Sequence, residues 1–211
     1  GSSPIIEDGK VFVQADRHSN SYLVAFDAET GKEIWKVERE EWPVWATPTI
    51  YRGALGDELI VAGGRYTKGY NPRNGREIWS LKDEAEVKIP TPFVSDGLII
   101  LAGGFRGRPM IAVEPGAKGD ISIPEDARSG PFVKWKSQPL GPYTVTPLAY
   151  RGLLYIVRDA GILQVHDLQT GEMIFRDRTD ATQSASPVAS DGHLYLATEE
   201  GEILVYRAGR E

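Results

Sequence analysis

Cysteine is absent from all 211 residues, which excludes disulfides, thiolate metal ligation and a cysteine nucleophile, and leaves both the cytoplasm and an oxidising periplasm open as compartments. Histidine is scarce. His18, His166 and His193 stand far apart, with no spacing that converges them into a metal site or a nucleophile–base pair, so they read as solvated or structural residues. Positive charge is also short: 24 Lys and Arg against 30 Asp and Glu give a formal net charge of −6. A general nucleic-acid surface, whose affinity comes from clustered cations, is not expected. No apolar run approaches the roughly 20 residues that span a bilayer, and the opening residues carry no charged segment followed by an apolar one, so an export signal would have to precede residue 1. Amphipathic helical periodicity is missing too, which disfavours alternating βα folds. For the same reason Gly103-Gly104-Phe105-Arg106-Gly107 is not a phosphate loop, since no helix follows it.

What the chain has in quantity is glycine and proline, 23 and 14 residues, in a composition 41% hydrophobic, the mark of a turn-rich globular protein with a sizeable core. The prolines are not scattered. Ser or Thr precedes proline at Ser3-Pro4, Thr47-Pro48, Thr91-Pro92, Thr146-Pro147 and Ser186-Pro187, with the prolines about 44, 44, 55 and 40 residues apart, a period that belongs to solenoids and propellers. Four residues after each proline comes a turn signal: Asp8-Gly9, Arg52-Gly53, Asp96-Gly97, Arg151-Gly152 and Asp191-Gly192. Glycine takes a positive φ without a Cβ clash, so each pair predicts a tight hairpin turn, the second copy being lengthened by Ala54, Leu55 and Gly56.

Short β-branched, apolar runs follow these turns, among them Val11-Phe12-Val13, Leu98 to Leu101 and Leu154 to Val157, too short for helices and well suited to strands. A third strand is legible in four copies, through Tyr22–Phe26, Met110–Val113, Ile162–Val165 and Ile203–Tyr206, and a fourth closes the complete units after a second turn. A repeat of ~40 to 50 residues holding a four-stranded antiparallel meander is the size of a propeller blade, which buries its faces against its neighbours around a central channel. The expected fold is therefore all-β, one β-propeller domain with blades at about 2–46, 47–90, 91–145, 146–185 and 186–211, four complete and the fifth of three strands. The stretch from Asp120 to Asp126, within an insertion in the third copy, reads as a solvated loop.

The second turn and fourth strand carry the most specific pattern. Ala25-x-Asp27-x-x-Thr30-Gly31-x-x-x-Trp35 resembles the tryptophan-docking motif of propeller repeats of the pyrroloquinoline-quinone (PQQ) type. Asn71, Gly75 and Trp79, then Asp167, Gly171 and Phe175, match it with substitutions, and Trp135 resumes the strand after the insertion. Asp or Asn can accept backbone hydrogen bonds in the turn, Gly supplies a positive φ, and the aromatic ring packs between blades. Kelch repeats are the rival, on Gly63-Gly64 and Gly103-Gly104, a signal present in two of five copies. The PQQ resemblance covers nearly the whole chain and implies an arc of a larger seven- or eight-bladed propeller, in character with the family's non-catalytic, BamB-like members of outer-membrane assembly.

The resemblance also frames function. The family's catalytic branch holds a calcium-bound quinone at the propeller centre, and its alcohol-oxidising members stack an adjacent-cysteine disulfide over it, which this chain lacks the residues to form. The acidic ligand and catalytic aspartate of that set are not identified on matching positions, so none is carried over. The expectation is thus a non-enzymatic protein-binding or assembly scaffold without cofactor, exported to the periplasm by resemblance. Two alternatives stand beside it: a fragment of a dehydrogenase binding PQQ and calcium, and a ligand-sensing propeller domain of a larger receptor or kinase. Open blade edges would also invite self-association. In an up-down meander, blade-to-blade connections and second-to-third-strand hairpins fall on one face, which here carries Arg17, Trp42, Trp45, Arg65, Lys88, Arg106, Tyr143, Arg158 and Gln183. Arg and aromatic residues are enriched at binding hot spots, and this face is the candidate interaction surface. Plainer readings stay open, with the arginines as solvated charges and Trp42 and Trp45 as wedges between blades. Glu40-Glu41 and Glu199-Glu200 read as exposed turn charges.

Overall fold

The computed structural model describes residues 2–105, 109–137, 141–179 and 181–211. Five small sheets follow one another along the chain. The first holds β1 (Ile5–Glu7), β2 (Lys10–Ala15), β3 (Ser21–Asp27) and β4 (Glu33–Arg39), and the second β5 (Thr49–Gly53), β6 (Gly56–Val61), β7 (Tyr66–Tyr70) and β8 (Glu77–Lys82). The third holds β9 (Phe93–Ser95), β10 (Leu98–Ala102), β11 (Met110–Val113) and, past the short β12 (Gly119–Asp120), β13 (Val133–Ser137). The fourth comprises β14 (Leu148–Tyr150), β15 (Leu153–Arg158), β16 (Ile162–Asp167) and β17 (Met173–Arg178), and the last only β18 (Val188–Ser190), β19 (His193–Ala197) and β20 (Ile203–Arg207). Each is an antiparallel meander, the second carrying β12 in parallel on its β8 edge; among the described residues no strand of the last sheet pairs with the first, so the blades form an open arc.

Turn chemistry explains most of the hairpins. Asp8-Gly9, Asp96-Gly97, Arg151-Gly152 and Asp191-Gly192 hold positive φ at both residues, the mirror-image turn whose twist matches the flanking strands. Arg52-Gly53 departs from the expectation. Gly53 pairs with Gly56 as the last rung of the ladder, which puts the tip two residues on, at Ala54-Leu55.

The core lies in the seams between sheets. Because side chains alternate across a strand, neighbours in one strand serve different seams: Leu59 packs with Phe12, Leu23 and Trp35 of the first blade, while Ile60 packs with Ile99, Leu101 and Ile111 of the third. Trp135 and Met110 meet Leu154, Ile156 and Leu168 in the next seam, and Tyr155 and Val165 meet Leu194 and Leu196 in the last, where Phe175 is half-buried. The Ser/Thr before each proline lies along these seams. Ser3 N–H donates to Thr47 Oγ1 (3.2 Å), Thr91 N–H to Thr146 Oγ1 (3.0 Å) and Thr146 N–H to Ser186 Oγ (3.0 Å), so a hydroxyl of one blade receives the backbone of the blade before it.

The docking motif shows why its residues are of these types. Asp27 and Asp167 each accept two backbone N–H groups within their turn, and Asn71 accepts that of Arg73. Trp35 Nε1 donates to Pro72 O of the next blade (3.1 Å), and Trp135 Nε1 to Leu168 O (3.0 Å). The indole lies on the next turn's glycine so closely that a Cβ would stand 2.7 Å from Trp35 at Gly75 and 2.6 Å from Trp135 at Gly171. Trp79 is the exception, its indole bonded to Glu58 of its own blade (2.6 Å). The insertion accounts for the difference and corrects the solvated-loop expectation for its first half. Gly119 and Asp120 pair in parallel with Trp79 and Ser80, Ile121 N–H donates to Ser80 O (2.9 Å), and Ile121 is buried in the seam. A segment of the third blade thereby straps itself onto the second.

Candidate loop-face interaction site

The connection leaving the first blade, residues 40–46, lies across the second-to-third-strand hairpin of the second. Gly63-Gly64 makes the close approach possible: a Cβ on Gly63 would stand 2.4 Å from the Glu41 carboxyl carbon, and one on Gly64 2.6 Å from Trp42 Cβ. The double glycine is a seat for the incoming connection rather than a kelch feature. Glu41 is the fastener. It is 6% exposed, and its Oε2 accepts the N–H groups of Arg65 (2.7 Å) and Tyr66 (3.3 Å), while Ser21 Oγ donates to its carbonyl (3.1 Å). Burial raises its carboxyl above the ordinary carboxylate range, against the pull of those N–H donors and of nearby Arg39. The exposed-turn reading of Glu41 is therefore corrected.

Beneath this connection runs a buried polar cluster across the seam. Arg39 Nε meets Asp16 Oδ1 at 2.8 Å with both side chains at most 1% exposed, Arg39 Nη1 donates to Tyr70 Oη of the second blade (2.7 Å), and Gln14 Nε2 donates to Asp16 (2.7 Å) and to Ala62 O (2.6 Å). Burial works against the Arg39 charge, yet Tyr70 and Asp16 hold its pKa above the ordinary arginine value. Such a cluster is rigid because breaking one buried partnership leaves the other group without a counter-charge.

On this base the exposed residues are held in place. Trp42 is 41% exposed, with the Arg65 guanidinium 5.1 Å from its ring centre, a cation–π distance. Arg17 lies over Tyr22 (5.5 Å) and donates from Nε to Asn20 O (3.2 Å). Arg17, His18, Trp42 and Arg65 border one hollow of about 330 Å³. Trp45 is 42% exposed and donates its N–H to Lys88 O (2.8 Å). Neither tryptophan is a wedge sealed between blades.

The rest of the expected face is divided. Lys88 is buried and paired with Asp83 (2.6 Å), which also accepts Thr67 N–H and Thr67 Oγ1–H. Gln183 is buried too, donating to Thr179 Oγ1 (3.2 Å). These two hold connections down and offer a partner no surface. Tyr143 is half-buried against Phe105 with ring centres 5.5 Å apart, and its N–H is taken by Asp159 (3.2 Å). Arg158 is half-buried, and Arg106 lies outside the described residues. The structure therefore brings together Arg17, Trp42 and Arg65, with Trp45 further along the same connection. Asp159 and Glu41, acidic fasteners of two connections, carried no distinguishing signal in the sequence.

The family model described as outer membrane protein assembly factor BamB matches residues 1–177. The chain belongs to this family. BamB of Moraxella catarrhalis is similar in structure at 18% identity and a TM-score of 0.70, over 98% of this chain and 57% of that one. A quinohemoprotein alcohol dehydrogenase of Comamonas testosteroni is similar at 17% identity and a TM-score of 0.64, over 98% of this chain and 41% of that one. In sequence, 73 residues are 33% identical to subunit 1 of methanol dehydrogenase [cytochrome c] of Methylobacterium organophilum, 11% of that protein's length. The similar proteins thus include an assembly factor and dehydrogenases, and the chain spans little more than half the length of the solved structures named here at most. Among the described residues no three His, Cys, Asp or Glu side chains are grouped so as to hold a metal ion. No described helix is long and apolar enough to cross a membrane.

Proposed function

We propose that this BamB-family arc is a non-enzymatic, exported protein-binding scaffold, and that it engages its partner through Trp42, Arg65 and Arg17, with Trp45 beside them. The observation that carries this reading is a solvent-facing tryptophan under an arginine, fixed on a connection whose Glu41 fastener and underlying Arg39–Asp16 pair are buried. Rigid aromatic and arginine anchors lose little entropy on binding and supply most of the energy at interfaces. The favoured partner is a protein segment presenting apolar side chains beside carboxylates. Affinity capture from a cell-envelope extract, with the bound protein identified by mass spectrometry, tests the idea. A Trp42→Ala, Arg65→Glu double variant should lose that protein, while Lys32→Glu on the opposite face keeps it. Equal capture by all three proteins overturns the assignment, and a rise in melting temperature on adding PQQ with calcium overturns the non-enzymatic reading.

A further inference from the structure

The seam where the docking motif fails leaves a second hollow, on the turn-bearing face and far from the residues above. With Trp79 turned back onto its own blade and the third blade's turn drawn out into the strap, a space of about 410 Å³ remains between the second blade's turns, at Leu55 to Glu58 and Asn71 to Arg73, and Gly116 to Lys118 of the third, within the range of small-molecule sites. Its walls are about half apolar, through Ile78, Ala117 and Leu55, the last 83% exposed. Its charges are sorted by depth. Glu58 lies deep, 5% exposed, with the Trp79 indole N–H as its hydrogen-bond donor, and half-buried Asp57 stands next to it. Arg73 and Lys118 are exposed at the lip. Among the described residues none of these four charges is in an ion pair.

A buried carboxylate with no counter-charge is costly, and burial does raise the Glu58 carboxyl above its ordinary value despite the indole N–H. An ammonium group entering the hollow would supply the missing charge, and a carboxylate trailing behind it would meet the two cations at the lip. We propose that this hollow is a binding site for a small zwitterion of the ω-amino acid class, its ammonium on Glu58, its methylene chain along Ile78 and Ala117, and its carboxylate between Arg73 and Lys118.

Calorimetric titration of the whole chain with 5-aminopentanoate, pentylamine and pentanoate tests this. The amino acid should bind at millimolar concentration or below, pentylamine more weakly, and pentanoate not at all. Glu58→Gln should weaken the amino acid at least about tenfold, the scale of a lost charge-assisted bond. Lys118→Glu, a change at the exposed lip that leaves the core intact, should weaken the amino acid but not pentylamine, and decides the matter if Glu58→Gln does not fold. Absence of binding by 5-aminopentanoate, equal binding by pentylamine, or indifference to Lys118→Glu would each overturn the proposal.

Discussion

Gly31, Gly75 and Gly171 occupy the same turn position in three blades, at φ of +69°, +73° and +71°, but they face different neighbours. An alanine methyl at Gly31 would meet nothing within 4 Å, whereas at Gly75 and Gly171 it would press to 2.7 and 2.6 Å against an indole of the preceding blade. The backbone part of the penalty is common to all three, about 1–2 kcal/mol for an L residue in the left-handed region. Overpacking of a filled seam adds about 1–3 kcal/mol, and it applies only where the indole sits. Gly31→Ala should therefore cost about 1–2 kcal/mol and each of the other two about 2–5 kcal/mol. Urea unfolding measures the difference: at an m value of about 2 kcal/mol/M, the midpoint should drop by about 0.5–1 M for Gly31→Ala and about 1–2.5 M for Gly75→Ala and Gly171→Ala. Equal losses at the three positions would refute the argument that the indoles seal these seams through contact with glycine.

Lys88→Met should cost about 3–5 kcal/mol, because it strands the buried Asp83 carboxylate, and adding Asp83→Asn, which can still accept Thr67 N–H, should recover part of the loss in the same unfolding assay. His166 is 1% exposed, and burial lowers its pKa below the ordinary value of 6.5, against a hydrogen bond to Gly171 O. The unfolded chain therefore binds a proton that the folded chain refuses, so stability is full above that ordinary value and falls as pH drops through it, by up to about 1.4 kcal/mol per pH unit; His166→Gln should flatten this part of a midpoint-versus-pH curve. Ile121→Ala should cost about 2–5 kcal/mol and speed hydrogen exchange at the Ile121 amide while leaving the first blade's amides protected.

The blade architecture was legible because proline, Asp-Gly turns and apolar runs recur in a fixed order, each reporting a local backbone demand. The third strand of the second blade escaped notice for an equally local reason. Tyr66-Thr67-Lys68-Gly69-Tyr70 lacks the apolar run of its counterparts, and Gly69 is there because the Trp79 ring lies against it, a Cβ at 2.3 Å being impossible. A two-residue strand such as Gly119–Asp120 leaves no periodicity to detect; the hint was Ile121 and Ile123 spaced two apart in a polar stretch. At the loop-face site, Trp42 and Arg65 could be assigned to a common face from the meander alone. Which loop charges are buried could not, since Lys88 and Arg65 look alike until Asp83 and the seam come into view. The double glycines were a true signal with another meaning, marking where one connection crosses the next hairpin.

Repeat arrays in which each unit touches only its neighbours have stabilities that add unit by unit and boundary by boundary. The parallel rungs from Gly119 and Asp120 to Trp79 and Ser80 add a short strand pairing across one boundary, on top of the side-chain packing and scattered backbone hydrogen bonds that the other boundaries also have. Blades two and three should then melt as one cooperative block, the first and last blades fraying before it. Drawn out by its ends in a force experiment, the chain would give way in small steps at both flanks and hold longest in the middle.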